Sequence, residues 1–566
     1  MVTALLDSPC HMEADPMSLH PQDIPPVPEE TRRVAQAAFP RGNVYMRLRD
    51  ALGAIYDDQL FAPLFSPRGQ PAASPWRLAF ATVMQFAEGL SGRQAADAVR
   101  SRSDWEYALS LELTDSGFDH TVLSEFRTRL LAGGAEQRLL DTLLAQVRAR
   151  GLLKARGRQR TDSTHVLAAI RALNRLERVG ETVRHALNSL AVVAPDWLRA
   201  QVPPEWFDRY GPRMDTYHLP KTAAAREALA ATIGADGHQL VQAVDAATDL
   251  PWLREIPAVQ TLRHVWAEQY TDPPGPLRWR EAHEMPPPAD LITSPYDIEA
   301  RYCTKRGTAW VGYKVHVTET CEDGQPHLIT QVLTTPATTP DCVMGPASQR
   351  DLATRDLLPG IHLLDSGYVD AELLVTAQTE HQVDAVGPTF GSSSRQRRAG
   401  QGYDLDAFLI DWEAKQARCP QGQTSVKWTP GRDGSGDPVV RIRFDRATCR
   451  ACPARQACTW AKEAPRRLTG RPHAHHEAIH AARRRQTAAA FWLQYGARAG
   501  VEGTHSQGIR RCGLRHARYI GLAKTHLQHL LTAVALNVGR LGEWWLGMPL
   551  AKTRCSSFAT LRMAAA

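Results

Sequence analysis

Three acidic residues have surroundings that suit them to phosphate chemistry. Glu502 is the single acid in residues 495–528, a stretch that also holds Arg498, Arg510, Arg511, Arg515, Arg518 and Lys524. A lone carboxylate in so basic a segment suits a metal ligand working on a phosphate backbone; the commoner fate is an exposed Glu paired with its arginines. Tyr495, Arg498 and Glu502 stand at i, i+3 and i+7, which on one helix puts all three on one face. Asp162 lies in GRQRTDSTHVLA, residues 157–168, where β-branched residues break a helical run and predict a strand with the acid near its C-terminal end. Asp365 follows IHLL, residues 361–364, which predicts a buried strand, and Gly367 then turns the chain. Strand ends on one edge of an α/β sheet are where such folds bind ligands. Three carboxylates meeting there suit hard cations, Mg²⁺ or Mn²⁺, whose remaining positions go to water and substrate phosphate. Two such ions ~4 Å apart activate a hydroxyl and stabilise a leaving oxygen in phosphodiester transfer. Taken singly, each Asp is more often a cap or turn residue.

A second set is sulfur. The chain has ten cysteines, four of them in a late cluster: Cys419, Cys449, Cys452 and Cys458. Cys449 and Cys452 form a CxxC pair, Cys458 follows, and Cys419 lies thirty residues upstream of Cys449. Four thiolates from two segments match a structural tetrahedral zinc site; the alternative is unligated thiols in a compact insertion. Histidines 473, 475, 476 and 480 predict a surface helix start that could supply a substitute ligand. His165 and His316 fit hydrogen-bonding roles in the core.

The elements that must position these residues are legible in outline. Residues 1–43 are Pro-rich and aperiodic, which predicts a disordered arm. Residues 44–152 carry helical patterns and form an N-terminal domain: Pro75 opens a helix, Arg93–Arg100 is a short one, Ser103 and Glu106 have capping-box spacing, and Asp119 caps the helix through Leu130. Basic faces with Arg93, Arg100, Arg102, Arg127 and Arg129 suit a helix-turn-helix-like DNA reader; a purely structural bundle fits equally. The remainder, 153–566, alternates strands and helices. A helix covers Ile170–Leu190, and residues 195–300 predict a helical insertion. Strands follow at 309–318 and 327–335 with an Asp323-Gly324 turn between them. A helix at 341–356, the strand before Asp365 and another at 383–386 complete an α/β sheet of mixed strand direction. Residues 391–475 form a Cys-rich insertion. The last helix shows Leu527, Leu530, Leu531, Val534, Val538 and Leu541 at core spacing. Gly496, Gly500 and Gly503 each cost a helix about 1 kcal/mol relative to Ala. Either the backbone approaches DNA closely there or the helix breaks near Glu502.

Composition sets the class. With 43% hydrophobic and 22% charged residues the sequence is that of a soluble, folded protein of several domain-sized units. No apolar run approaches the ~18 residues of a membrane span, and no signal-peptide core is present, which predicts an intracellular protein. Net charge is +7, but from Val439 onward 22 Lys and Arg face 5 Asp and Glu. Such polarisation predicts a polyanion partner.

The strings TDSTHVLAAIRALNRLERVGETVR, YCTKRGTAWVGYKVHVTET, HLLDSGYVDAELLV and the whole of residues 495–528 resemble the DDE transposases of bacterial insertion sequences, and most of all their eleven-eighty-two family. The resemblance runs in order from about Val44 to beyond Leu541. It implies a ribonuclease-H-like catalytic core with Asp162, Asp365 and Glu502 as the metal-binding triad. It also implies double-stranded DNA, terminal repeats and target, as partner, a homodimer on that DNA, and a nucleoid-associated cytoplasmic location. In related families a Lys follows the last acid; Ile509 stands there, so phosphate contacts fall to Arg510, Arg511 or Lys524, with Tyr495 and Arg498 beside them. A non-catalytic DNA-binding regulator or a decayed transposase is the alternative function.

Overall fold

The computed structural model describes residues 17–214, 219–271, 277–305, 307–391, 395–434 and 436–548. The chain divides into two compact units. One takes the residues up to 154, 163–339 and those from 502 on; the other takes 155–162 and 340–501.

The first unit begins with a two-residue parallel pair, β1 (Met17–Ser18) on β2 (Gln70–Pro71), and seven helices. These are α1 (Glu29–Ala38), α2 (Val44–Leu52), α3 (Pro75–Glu88), α4 (Gly92–Ser101), α5 (Ser103–Leu109), α6 (His120–Ala132) and α7 (Arg138–Ala149). Pro75 opens α3 where its missing N–H costs nothing, and left-handed Gly89 ends it. Asp119 caps α6 as expected, accepting the Thr121 N–H at 2.9 Å. The expected Ser103–Glu106 capping box does not form, because Ser103 already lies inside α5; the box forms one helix earlier, between Ser91 and Gln94. Within the stretch expected to be a loose arm, α1 is ordered: the buried Thr31 hydroxyl donates to the Leu111 carbonyl at 2.7 Å. Residues 1–16 of that arm lie outside the described residues. Most of the arginines expected to face DNA are engaged internally. Arg102 pairs with Glu88 and Asp104, Arg100 with Asp97, and Arg127 and Arg129 lie over the Tyr519 and Phe65 rings.

The helical insertion starts earlier than residue 195. A capping box of Asn174 and Glu177 opens α8 (Arg175–Val193), which shares one core with α9 (Pro195–Gln201), α10 (Glu205–Tyr210), α11 (Ala223–Ala246) and α12 (Pro257–Gln269). Val179, Val183 and Leu190 of α8 join Ile233, Leu240, Val259 and Leu262 in that core.

The main sheet is built on β3 (Arg158–Leu167), which runs from one unit into the other. In the first unit are β4 (Arg301–Lys305), β5 (Thr308–Thr320) and β6 (Ile329–Pro336), antiparallel in turn, with Lys305 opposite Thr308 and His316 opposite Leu333. In the second unit, β7 (Ile361–Leu364) and β8 (Asp384–Val386) continue parallel to the first half of β3. The strand order is β4-β5-β3-β7-β8, with β6 also on β5. The fold is therefore mixed α/β, as the alternation of patterns predicts. Helices α13 (Asp341–Thr354) and α14 (Ala371–Thr379) follow the sheet connections of the second unit.

The Cys-rich stretch adds α15 (Arg395–Ala399), the hairpin β9 (Leu409–Asp411) and β10 (Gln416–Arg418), and a three-stranded antiparallel sheet of β11 (Lys427–Arg432), β12 (Pro438–Arg443) and β13 (Arg467–Gly470). Between β12 and β13 lie α16 (Arg446–Arg450) and α17 (Arg455–Cys458); α18 (His473–Arg485) and α19 (Ala489–Gly496) follow. The chain re-enters the first unit through α20 (Gly500–Cys512) and ends its described part with α21 (Leu522–Trp545). The α21 face predicted from spacing is buried, and it packs on β6, α2, α3 and α7. Six buried aliphatic side chains at about 1.5–3 kcal/mol each make that face core, not a site.

Candidate active site

Strand register places two of the acids. Thr161 of β3 pairs with Leu364 of β7, so the next residue on each strand is an acid, Asp162 and Asp365. Asp162 is not at the end of its strand, as its sequence predicts; β3 is longer, and Asp162 stands where its pairing with β7 stops. The bases of both strands are tied beneath. The Thr161 hydroxyl lies 2.6 Å from His362 Nε2, and the Gln159 amide donates to the Leu357 carbonyl at 2.8 Å. His362 is 0% exposed, and burial holds its ring neutral, with its pKa pushed down to about 3. Asp365 Oδ1 accepts from the N–H (2.5 Å) and hydroxyl (3.1 Å) of Ser366.

A guanidinium faces both acids. Arg498 Nη2 donates to Asp162 Oδ2 at 2.8 Å and lies 3.9 Å from Asp365 Oδ2. The three side chains are 12%, 15% and 31% exposed, so this charge set is largely screened from water. Arg498, expected at DNA, is thus held against an acid. Two carboxylates sharing one cation are a donor set that fits a divalent ion.

The backbone around Arg498 answers the question the glycines raise. Tyr495, Arg498 and Glu502 do not share one helix: Tyr495 lies in the last turn of α19, Arg498 in a 3-10 turn over Ala497–Ala499, and Glu502 in the first turn of α20. A Cβ on Gly500 would lie 2.0 Å from Arg160 Nη1, which donates to the Ala497 carbonyl at 2.6 Å. The close approach at Gly500 is therefore to Arg160, and the helix also changes there. Gly496 and Gly503 face open space. Tyr495 stacks on Phe491 at 5.9 Å between ring centres.

In the first unit, Glu502 sits exposed on the opening turn of α20. Residues that sequence reasoning passed over hold that helix. The buried Thr504 hydroxyl donates to Glu319 Oε2 at 2.6 Å, and Arg540 Nη1 donates to the same oxygen at 2.7 Å. Arg540 also reaches Gln507 Oε1 at 3.0 Å. Glu319 is 0% exposed and lies at a register shift in β5; an acid inside the apolar pattern YKVHVTET is the signal that could have found it. Arg510, Arg511 and Lys524 are exposed, whereas Arg515 Nε donates to Thr164 Oγ1 at 2.9 Å. His165 lies 5.5 Å from the Trp310 ring, and burial, with Arg515 and His516 adding, lowers its pKa. His316 lies 3.3 Å from Thr335 Oγ1.

The four late cysteines line one cavity in the second unit. Burial pushes the Cys458 thiol up; Arg466 pulls it the other way, and Cys449, Cys419 and Cys452 raise it further. Of the four expected histidines, His475 pairs with Glu372 and His480 with Asp406, while His473 stacks on Trp412. Among the described residues no group of three or more His, Cys, Asp or Glu side chains is gathered so as to hold a metal ion as it stands. No helix among them is long and apolar enough to cross a membrane.

Comparison with known families gives two matches. The family described as "Transposase DDE domain" matches residues 418–542, a range that includes the four cysteines, Arg498 and Glu502. The family described as "Transposase domain (DUF772)" matches residues 33–129, the helical N-terminal part. Asp162 and Asp365 lie outside both ranges. No curated protein matches the chain. The chain is thus similar to a transposase DDE domain late in its sequence and to a second transposase domain near its start.

Proposed function

We propose that the chain is a DDE transposase of insertion-sequence type that binds the ends of its insertion sequence, cleaves the DNA there and joins the freed 3′ ends to target DNA, with Asp162, Asp365 and Glu502 as its metal-holding acids. The observation that carries the reading is the shared position of Asp162 and Asp365 at the end of one parallel register, facing a single cation from Arg498. The strand order β6-β5-β3-β7-β8, with the first acid on the central strand, supports a ribonuclease-H-like core. The narrower eleven-eighty-two assignment belongs to this proposal.

Mg²⁺ or Mn²⁺ held by these carboxylates would supply Lewis-acid activation of the attacking oxygen and charge stabilisation of the leaving one. In cleavage, water attacks the phosphorus at the element end and the P–O3′ bond breaks, freeing a 3′ hydroxyl. In joining, that hydroxyl attacks a target phosphorus and displaces the target's 3′ oxygen. The chain's own residues set the geometry: Thr161 and His362 fix the strand ends, and Arg498 holds the carboxylates together before DNA arrives. Arg510, Arg511 and Lys524 are exposed and would meet phosphates, the part of affinity that weakens with salt. Tyr495 is the further candidate for a DNA contact. Bringing two ends together calls for a homodimer on DNA, and one protein per paired-end complex in a mass measurement would remove that part.

The test is incubation of purified protein with an insertion-end duplex and a supercoiled plasmid, with Mg²⁺ or with EDTA. Metal-dependent joined products, absent for Asp162→Ala, support the reading. Binding without cleavage in any divalent metal would overturn it in favour of a regulator or a decayed enzyme.

A further inference from the structure

Apart from the acidic residues, the chain gathers a second chemistry in its Cys-rich stretch. Cys419, Cys449, Cys452 and Cys458 all line one cavity of about 50 Å³, walled by Phe444, Arg455 and Arg466. All four are free thiols. They come from two structurally distinct turns. Cys419 follows β10 in a tight loop: its N–H donates to the Gln423 carbonyl, the Gly422 N–H donates back to the Cys419 carbonyl (2.8 Å each), and Gly422 is left-handed. The Gln423 N–H is also aimed at Cys419 Sγ, 3.3 Å away. A backbone N–H pointed at a sulfur is the kind of contact that supports a thiolate.

The second turn runs through α16 and α17. Asp445 caps α16 by accepting the Thr448 N–H at 2.8 Å, which sets Cys449 in its last turn. Cys458 closes α17. Two arginines clamp the loops that carry these cysteines. Arg455 donates to the carbonyls of Cys449 (2.9 Å) and Ala461 (2.7 Å), and Arg466 to those of Cys458 (2.6 Å) and Tyr403 (3.0 Å). The frame around the thiols is thus tied by its main chain, and both clamps bring positive charge to the cavity.

The core of the stretch is small: Phe408, Ala417, Val440, Ile442, Phe444 and Leu468 form one buried cluster, with Ile410, Trp412 and Trp428 among the partly buried side chains packed against it. A core of this size gains from a disulfide or a metal. The four thiols do not converge on a point in the structure. A change of staggered rotamer swings a thiol through a distance comparable to the zinc–sulfur bond, ~2.3 Å.

We propose that these four cysteines close on one Zn²⁺ ion, a structural Cys₄ site that staples β9–β13 and takes no part in strand transfer. Thiolates from a CxxC turn and a separate loop, without an open position for substrate, are the donor set of a tetrahedral structural zinc.

The experiment uses the full chain, purified under reducing conditions without chelator, with metals measured by mass spectrometry. About one zinc per chain is expected. Cys452→Ser is expected to lose nearly all of it, and Cys303→Ser, outside the cluster, to keep it. Should the Cys452 variant fail to fold, cobalt exchange into the wild-type chain gives a second readout: thiolate-to-cobalt charge-transfer absorption is expected. Chelation should also expose proteolytic sites within residues 395–470. Protein without zinc that takes up no cobalt, or a cluster found as disulfides, overturns the proposal, and iron in its place overturns the zinc assignment. None of these readouts depends on strand joining, so failure here leaves the reading of Asp162 and Asp365 untouched.

Discussion

Arg498 stands 2.8 Å from one carboxylate of the candidate site, Asp162, and 3.9 Å from the other, Asp365. Two unit charges 4 Å apart attract by about 4 kcal/mol at an effective dielectric near 20, before desolvation is counted. Without that cation the two like charges would repel. Arg498 therefore balances the pair in the free protein. Replacing it with Gln is expected to lower the melting temperature by a few degrees in EDTA. Mn²⁺ should then raise the variant's melting temperature more than it raises wild type's. Equal metal response in the two proteins would mean that Arg498 does not act on the acids.

Asp162→Asn and Asp365→Asn keep size and hydrogen bonding but remove the charge. Each is expected to abolish strand joining while binding an insertion-end duplex with wild-type affinity in a gel-shift assay. Normal joining by either variant would remove that residue from the triad.

Two of the three glycines of α20, Gly500 and Gly503, are expected to respond in opposite directions. Gly500→Ala puts a Cβ on the Arg160 guanidinium and should cost about 1–3 kcal/mol as overpacking. Gly503→Ala enters open space inside a helix and should stabilise by up to about 1 kcal/mol. Chemical denaturation of the two variants reads this directly. Joining activity should fall for Gly500→Ala well beyond its loss of stability, because the turn it disturbs carries Arg498.

Glu319 has no exposure, and Arg540 is its cation. Arg540→Leu removes a cation 2.7 Å from that buried carboxylate, and breaking a buried pair costs about 3–5 kcal/mol. The double variant Glu319→Gln, Arg540→Leu should recover much of the loss. A double variant no better than the single in thermal unfolding would place the effect in packing instead.

His362 gives a pH dependence of definite sign. Its folded pKa, about 3, is depressed from the ordinary value near 6.5. Above pH 6.5 it is neutral in both states and the full stability is present. As pH falls below 6.5 the unfolded chain takes up the proton and the folded chain does not, so stability is lost progressively down to the folded pKa. The slope is up to about 1.4 kcal/mol per pH unit. His529, buried in the other unit, is depressed in the same way and adds its own slope. Urea midpoints at pH 7 and pH 5.5 should differ, and by less in His362→Gln.

The sequence was most informative where one local rule decides. Strand periodicity found β5, β6 and β7, and apolar spacing found the buried face of α21, because burial repeats with the element. Asp162 and Asp365 could be singled out as acids beside strands. That they adjoin each other depends on the pairing of Thr161 with Leu364, which no local pattern encodes. The neighbour of Arg498 was illegible for the same reason: it reads as a basic residue in a basic segment, and only the fold brings it to Asp162. Ser103 misled because capping-box spacing recurs by chance one residue inside a helix. Glu319 and Arg540 lie 221 residues apart, too far for any window.

The parallel register that seats Asp162 and Asp365 does not involve the excursion between β3 and β4. After Leu167 the chain leaves the sheet, builds α8–α12 around a separate core, and returns as β4. Closing a loop costs free energy that grows slowly with its length, so the excursion can lengthen, shrink or be exchanged without moving either acid. Residues 170–300 are in that sense a cassette, the place where a foreign domain could be grafted.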